Sequence, residues 1–253
     1  MKALFSLLIL FTSFGVVAQS EFFELRIYHF PDPKSTGATE QFLQNALIPA
    51  LHQQGISRIG VFKPAAKDTI HKNSLYVLIP FKDLSQMDKV NTSLWKDQAF
   101  LKAGETYLNA SWDQPPYQRM ETIVLKAFKD MPQLEKPGLK GPRENRIYEL
   151  RSYEGPTEKL YRSKVHMFNE GKEIGLFKRL KFNAVFYAET LAGSRMPNLM
   201  YMTSFESMAE RDSHWKLFSD DPEWKVLSAK PEYQHTVSRI EIHFLTPTEY
   251  SDY

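Results

Sequence analysis

The sequence has no cysteine. That excludes disulfides, thiolate metal sites, a cysteine nucleophile and a cysteine-linked lipid anchor. An excess of one charge is also missing: 32 Lys and Arg stand against 30 Asp and Glu, with no basic block. Such a chain offers no electrostatic footprint for nucleic acid, and none is expected as a partner. There is no Gly-x-Ser-x-Gly elbow, Gly-rich phosphate loop, dinucleotide fingerprint or His-Glu-x-x-His helix. A serine hydrolase, a nucleotide-binding enzyme and a zinc protease of that type are therefore not expected. Past the N-terminus no apolar run reaches the roughly 20 residues that a membrane span needs.

The N-terminus is different. Lys2 supplies positive charge, residues 3–17 are apolar, and Val16-Val17-Ala18 offers small residues for cleavage. This three-part pattern is that of a secretory signal peptide over residues 1–18. An uncleaved anchor helix is the alternative, and Ser6, Thr12, Ser13 and Gly15 argue against it. Cleavage after Ala18 is expected, giving a secreted or periplasmic protein with no membrane attachment.

What remains is duplicated. Phe81 and Phe205 stand 124 residues apart, and the same offset pairs Asp88 with Asp212, Leu94 with Phe218, Asp97 with Asp221 and Phe100 with Trp224. Glu24-Leu25-Arg26-Ile27-Tyr28 matches Glu149-Leu150-Arg151-Ser152-Tyr153 at one residue more. Helix starts repeat too. Ser207 with Glu210 forms a capping box, Asp83 with Gln86 takes its place in the first copy, and Asp221-Pro222 opens a further helix. A period this long means that each copy is a domain-sized unit.

Alternation predicts strands at 22–30, 59–63, 75–81 and 119–128, then at 146–153, 183–189, 198–205 and 237–245. Helical spacing predicts helices over 39–54, from 83, near 97–109, over 158–179, and from 207 and 221. Pro49 should kink or shorten the first, and Gly171 and Gly175 suggest a break or close packing in the fourth. Residues 129–145, rich in Pro, Gly and charge, read as a linker between repeats at 19–128 and 146–247. The order in each is β-α-β-β-α-β. The fold class is thus α+β: two ferredoxin-like repeats packed as an internal pseudo-dimeric α/β barrel.

These residues resemble the NIPSNAP family of the dimeric α/β-barrel superfamily. Both halves carry the opening Glu-Leu-Arg-x-Tyr strand. The second adds Asn183-Ala184-Val185-Phe186-Tyr187, Met200-Tyr201-Met202-Thr203-Ser204-Phe205, Arg211-Asp212-Ser213-His214-Trp215 and Asp220-Asp221-Pro222-Glu223-Trp224. The first departs from the pattern, with Lys96-Asp97-Gln98-Ala99-Phe100 in place of Asp-Pro-Glu-Trp, so the second is expected to hold any single site. The resemblance implies a closed barrel of two such units. Sister branches include monooxygenases and haem enzymes built around the cavity, which is a fold-level analogy.

The Glu, Arg and Tyr of each opening strand share one face, expected to line the barrel interior. One reading is structural, with Glu24 pairing Arg151 and Glu149 pairing Arg26 across the pseudo-twofold. The other is a pocket using Arg26, Tyr28, Arg151, Tyr153, Tyr187, Tyr201 and His214 to hold a small, partly apolar ligand. His166 and Glu170, one helical turn apart, are too few for a metal site, and no metal is expected. Arg195 reads as an exposed hairpin arginine. Asn91-Thr92-Ser93 and Asn109-Ala110-Ser111 are glycosylation triplets. No catalytic set is recognisable and no cofactor is expected, haem entering only as an alternative. Ligand binding leads, an oxidoreductase or a structural protein with a packed interior is the alternative, and open sheet edges leave a homodimer feasible.

Overall fold

The computed structural model describes residues 19–253; the leader expected at 1–18 lies outside the described residues. The first repeat runs β1 (Phe22–His29), α1 (Gly37–Phe42), α2 (Ile48–Gln53), β2 (Gly60–Pro64), β3 (Ser74–Phe81), α3 (Leu84–Leu94), α4 (Gln98–Ala103), α5 (Glu105–Leu108) and β4 (Arg119–Ala127). The second runs β5 (Ile147–Glu154), α6 (Glu158–Phe168), α7 (Glu173–Arg179), β6 (Ala184–Ala192), β7 (Asn198–Phe205), α8 (Met208–Asp220), α9 (Pro222–Ser228) and β8 (Arg239–Pro247). No described helix is long and apolar enough to cross a membrane.

Two predicted helices are interrupted, for local reasons. Pro49 cannot donate to the turn before it, and a π-helical turn at Leu43–Leu47 separates α1 from α2. Between α6 and α7 the chain passes through Lys172 at φ 68°. A Cβ on Gly171 would stand 2.4 Å from the Met167 carbonyl oxygen, so only glycine fits the turn. The caps form as read. Asp83, Asp97, Ser207 and Asp221 each accept an early helix N–H. Gln86 and Glu210 reach back one residue further than a simple capping box, to the N–H groups of Lys82 and Glu206.

The eight strands close in the order β1-β3-β2-β8-β5-β7-β6-β4, antiparallel throughout. Each repeat contributes four neighbouring strands, and the seams are β2 on β8 and β4 on β6. Edge strand meets edge strand twice, which leaves no open edge in the sheet.

Closure covers the inner face of the strands, and the helices cover the outer face of β1, β3, β5 and β7. Phe23, Leu25 and Ile27 of β1 point into the lumen with Leu78, Leu150, Phe186, Met200 and Met202. Tyr28 faces outward into the layer beneath α1 to α4, and Tyr153, Tyr187 and Tyr201 face outward beneath α6 to α8. This corrects the expected assignment: the Glu-Arg-Tyr face of each opening strand lies outside the barrel, under the helices. Alternation separates two faces without saying which curves inward, and here the apolar one does.

The segment expected as a linker is fixed to the barrel. Leu134 joins the lumen core, and its N–H donates to Glu21, which also binds Arg58. The chain beyond 247 is ordered as well. Ser251 and Asp252 accept the N–H groups of Val61 and Ile59, and Tyr253, only 1% exposed, packs on Phe62 and Tyr148. Linker and tail thereby fill one end of the lumen.

Candidate functional site

In the second repeat the outward polar set forms a closed network. Glu149, fully buried, accepts from Arg151 Nε at 2.6 Å, from Arg211 Nε and Nη2 at 2.8 Å, and from Trp215 Nε1 at 2.8 Å. Arg151 donates to the Tyr153 hydroxyl at 3.0 Å, which lies 2.8 Å from the Tyr201 hydroxyl. The Arg151 guanidinium sits 3.7 Å from the Trp215 ring centroid, a stacked cation–π contact. Burial alone would push the Glu149 carboxyl up; Arg211, Arg151 and Trp215 outweigh it and hold the group below its ordinary value. The salt bridges run within each strand, Glu24 to Arg26 and Glu149 to Arg151, and not across the pseudo-twofold as expected.

Tyr187 and Tyr201 pair across β6 and β7, and both are buried against Phe168 and Phe177. Burial raises both phenols well above the ordinary value. Both belong to the aromatic layer beneath α6 to α8, and Tyr187 also borders a cavity of about 280 Å³ with Ile174 and Phe177. His214 stands apart, its ring against Phe182 and Phe205 and its Nδ1 without a hydrogen-bond partner. His166 bonds the Tyr233 hydroxyl and Glu170 pairs with Lys129, so those two do not act together.

The same strand motif in the first repeat has different company. At the repeat offset Trp215 corresponds to Asn91, Arg211 to Met87 and Tyr201 to Val77. Arg26 Nη2 donates to Glu24 at 3.0 Å and to Asn91 Oδ1 at 3.2 Å. Glu24 has one guanidinium partner where Glu149 has two, so the pair is neutral overall. Without an indole above Arg26, a cleft of about 550 Å³ opens between β1 and the helices. Its floor carries Glu24, Arg26, Tyr28 and Asn91, and its walls include Phe42 and Tyr107, stacked 3.9 Å apart. Trp95 and Trp112, 66% and 92% exposed, stand at its rim. Burial, with Tyr28 and Tyr117 beside it, raises the Tyr107 phenol far above its ordinary value and keeps it a neutral donor.

Of the residues singled out from sequence, the structure brings Arg26 and Tyr28 to this cleft and Arg151, Tyr153 and Tyr201 to the closed network. The cleft over the Glu-Arg-Tyr face is in the first repeat, while in the second repeat a cavity of about 280 Å³ lies beside Tyr187, Ile174 and Phe177. Tyr107 and Asn91, the latter singled out only within a glycosylation triplet, join Arg26 and Tyr28 at the cleft, and pairing Asn91 with Trp215 at the repeat offset carries the signal. The lumen, expected to hold the site, is filled by side chains over most of its length. A polar cavity of about 120 Å³ remains at the end away from Tyr253.

The fold and the helix-covered clefts define a tandem ferredoxin-like α/β barrel. Within that class, residues 148–252 match the NIPSNAP family, and the chain carries a NIPSNAP domain in its second half. The whole barrel is similar to a protein from Lactobacillus acidophilus NCFM, provisionally named a monooxygenase. Identity there is 12%, over 90% of this chain and 94% of that one, with a TM-score of 0.58. It is also similar to an anthrone oxidase-like protein at 8% identity, over 92% and 93% of the two chains, with a TM-score of 0.53. At these identities the likeness is one of fold. No curated protein matches the sequence significantly.

Proposed function

We propose that the protein binds one small, planar, largely apolar ligand in the outer cleft of the first repeat. The observation that carries this reading is the replacement of Trp215 by Asn91 at matched positions, which turns a filled layer into a cleft of about 550 Å³. That volume lies within the roughly 300–1,000 Å³ usual for small-molecule sites, as does an aromatic wall with a few convergent polar groups. Arg26, Tyr28 and Asn91 supply those groups. Because Glu24 balances Arg26, the cleft suits a neutral ligand carrying a hydroxyl or carbonyl better than a strong anion. Trp95 and Trp112 at the rim offer flat faces for stacking.

A second reading is oxidation of the bound ligand. It takes support from the names of the two similar proteins and from the aromatic lining, and it is an inference from fold. Oxygen consumption with a hydroxylated anthrone as substrate tests it, one O2 turning the ring CH2 into the quinone carbonyl with release of water. Steady uptake that depends on Asn91 supports oxidation, and none leaves binding as the activity.

Export of the chain belongs to the same proposal. The three-part pattern of residues 1–18 supports cleavage after Ala18 and action in a secreted or periplasmic setting. The test of binding is a fluorescence titration with 1,8-dihydroxyanthraquinone, read through Trp95 and Trp112. Saturable quenching at one equivalent supports the reading, whereas non-saturable quenching counts against it.

A further inference from the structure

Two histidines outside the repeated motifs meet at the polar end of the lumen. His71 lies in the turn before β3, and His243 lies on β8 with its side chain directed inward. Their ring centroids are 3.9 Å apart. Asp68 completes the group, and one donor atom from each of the three lies within 4.8 Å of the others. Asp68 is held firmly: it is 6% exposed, accepts the N–H groups of His71 and Phe244 at 3.0 Å, and contacts His71 Nδ1 at 2.9 Å. The Tyr76 hydroxyl lies 3.0 Å from His243 Nδ1 and fixes that ring. Outer partners of this kind orient imidazoles at metal centres.

The cavity beside the group adds an independent observation. Asn198 and Thr190 line it, both are 3% exposed, and Asn198 Oδ1 and Thr190 Oγ1 have no hydrogen-bond partner. A buried polar atom left unpaired costs about 1–3 kcal/mol, so a polar occupant is called for. Two imidazoles and a carboxylate suit a borderline first-row divalent cation; Ca²⁺ and Mg²⁺ want six or more oxygens. Arg195, which also lines the cavity, is neutralised by its ion pair with Glu241.

We propose that Asp68, His71 and His243 bind one first-row divalent cation, Zn²⁺ or a close neighbour, with its open positions facing the cavity. Bonds of about 2.1 Å place two donors at most about 4.2 Å apart, and of the two histidines His71 is the freer to adjust to that limit. Its side chain is 22% exposed and stands at the mouth, where such an adjustment is cheap. The site shares no residue with the outer cleft, and the proposal stands whether or not the cleft binds a ligand.

The test uses tag-free, chelator-stripped protein titrated with Zn²⁺ by calorimetry and with Co²⁺ by visible absorption. One equivalent per chain is expected, with a cobalt spectrum of low-symmetry nitrogen and oxygen ligation. His71→Ala and His243→Gln should each weaken binding at least about tenfold. His235→Ala, at an exposed position, should leave it unchanged. Near-ultraviolet circular dichroism checks the fold of His243→Gln; His71→Ala, at the mouth, gives the decisive comparison. Absence of binding by either cation overturns the proposal. So does binding that persists undiminished in His71→Ala.

Discussion

Asn91 stands in the first repeat where Trp215 stands in the second. Arg26 donates to the Asn91 amide oxygen at 3.2 Å, while Arg151 lies 3.7 Å from the Trp215 ring. Two copies of one strand motif thus have opposite fates. One Glu-Arg-Tyr set is sealed under an indole and a second guanidinium, and the other opens on a cleft.

The sealed copy should behave as a structural element. Trp215→Ala removes a hydrogen bond to Glu149, the stacking surface of Arg151 and the packing on Phe182. A loss of about 3 kcal/mol is expected, from the cavity and the missing donor together. Urea unfolding of wild type and variant measures it. A change within experimental error would contradict the closed-network description.

Glu149 sets a pH dependence with a definite sign. Its ordinary value is 4.5 and its folded value lies lower. A carboxyl depressed on folding stabilises the protein above the unfolded value, and that stability is lost as pH falls through the folded value. Wild type should therefore weaken progressively below pH 4.5, where the unfolded chain takes up the proton first. Glu149→Gln leaves Arg151 and Arg211 without their counter-charge and should cost about 3–5 kcal/mol at neutral pH. It should also flatten the acid limb, which urea midpoints between neutral and acidic pH would detect.

The expected leader makes a simple prediction about mass. Protein collected from the export compartment should begin at Gln19, as read by intact mass and N-terminal sequencing. A mature chain beginning at Met1 would remove the basis for an exported function.

The architecture could be read from the sequence because its determinants are local and occur twice. Helix caps at Asp83, Ser207 and Asp221 announce themselves through one side chain and its own turn. Strand alternation likewise needs only neighbours in sequence. The placement of the site was less accessible. Which face of β1 or β5 curves inward depends on closure through the β2–β8 and β4–β6 seams, contacts between residues far apart in the chain. A polar face suggested a polar lumen, whereas closure put the apolar side chains inside and left the charges to be paired beneath the helices. The family motifs are fuller in the second repeat, where Trp215 covers Arg151. The cleft arises from a smaller residue at the matching position, a signal carried by what Asn91 lacks. His71 and His243 are 172 residues apart and belong to no repeated motif, so only the fold brings them together.

The most direct test of the account is the titration of wild type and Asn91→Trp with 1,8-dihydroxyanthraquinone, followed by tryptophan fluorescence and checked by native mass spectrometry. The variant should put an indole over Arg26, as Trp215 covers Arg151, with stability changed by less than about 1 kcal/mol. The account predicts one saturable site in wild type and none in the variant. Equal binding by both proteins would contradict it and place the ligand elsewhere on the barrel.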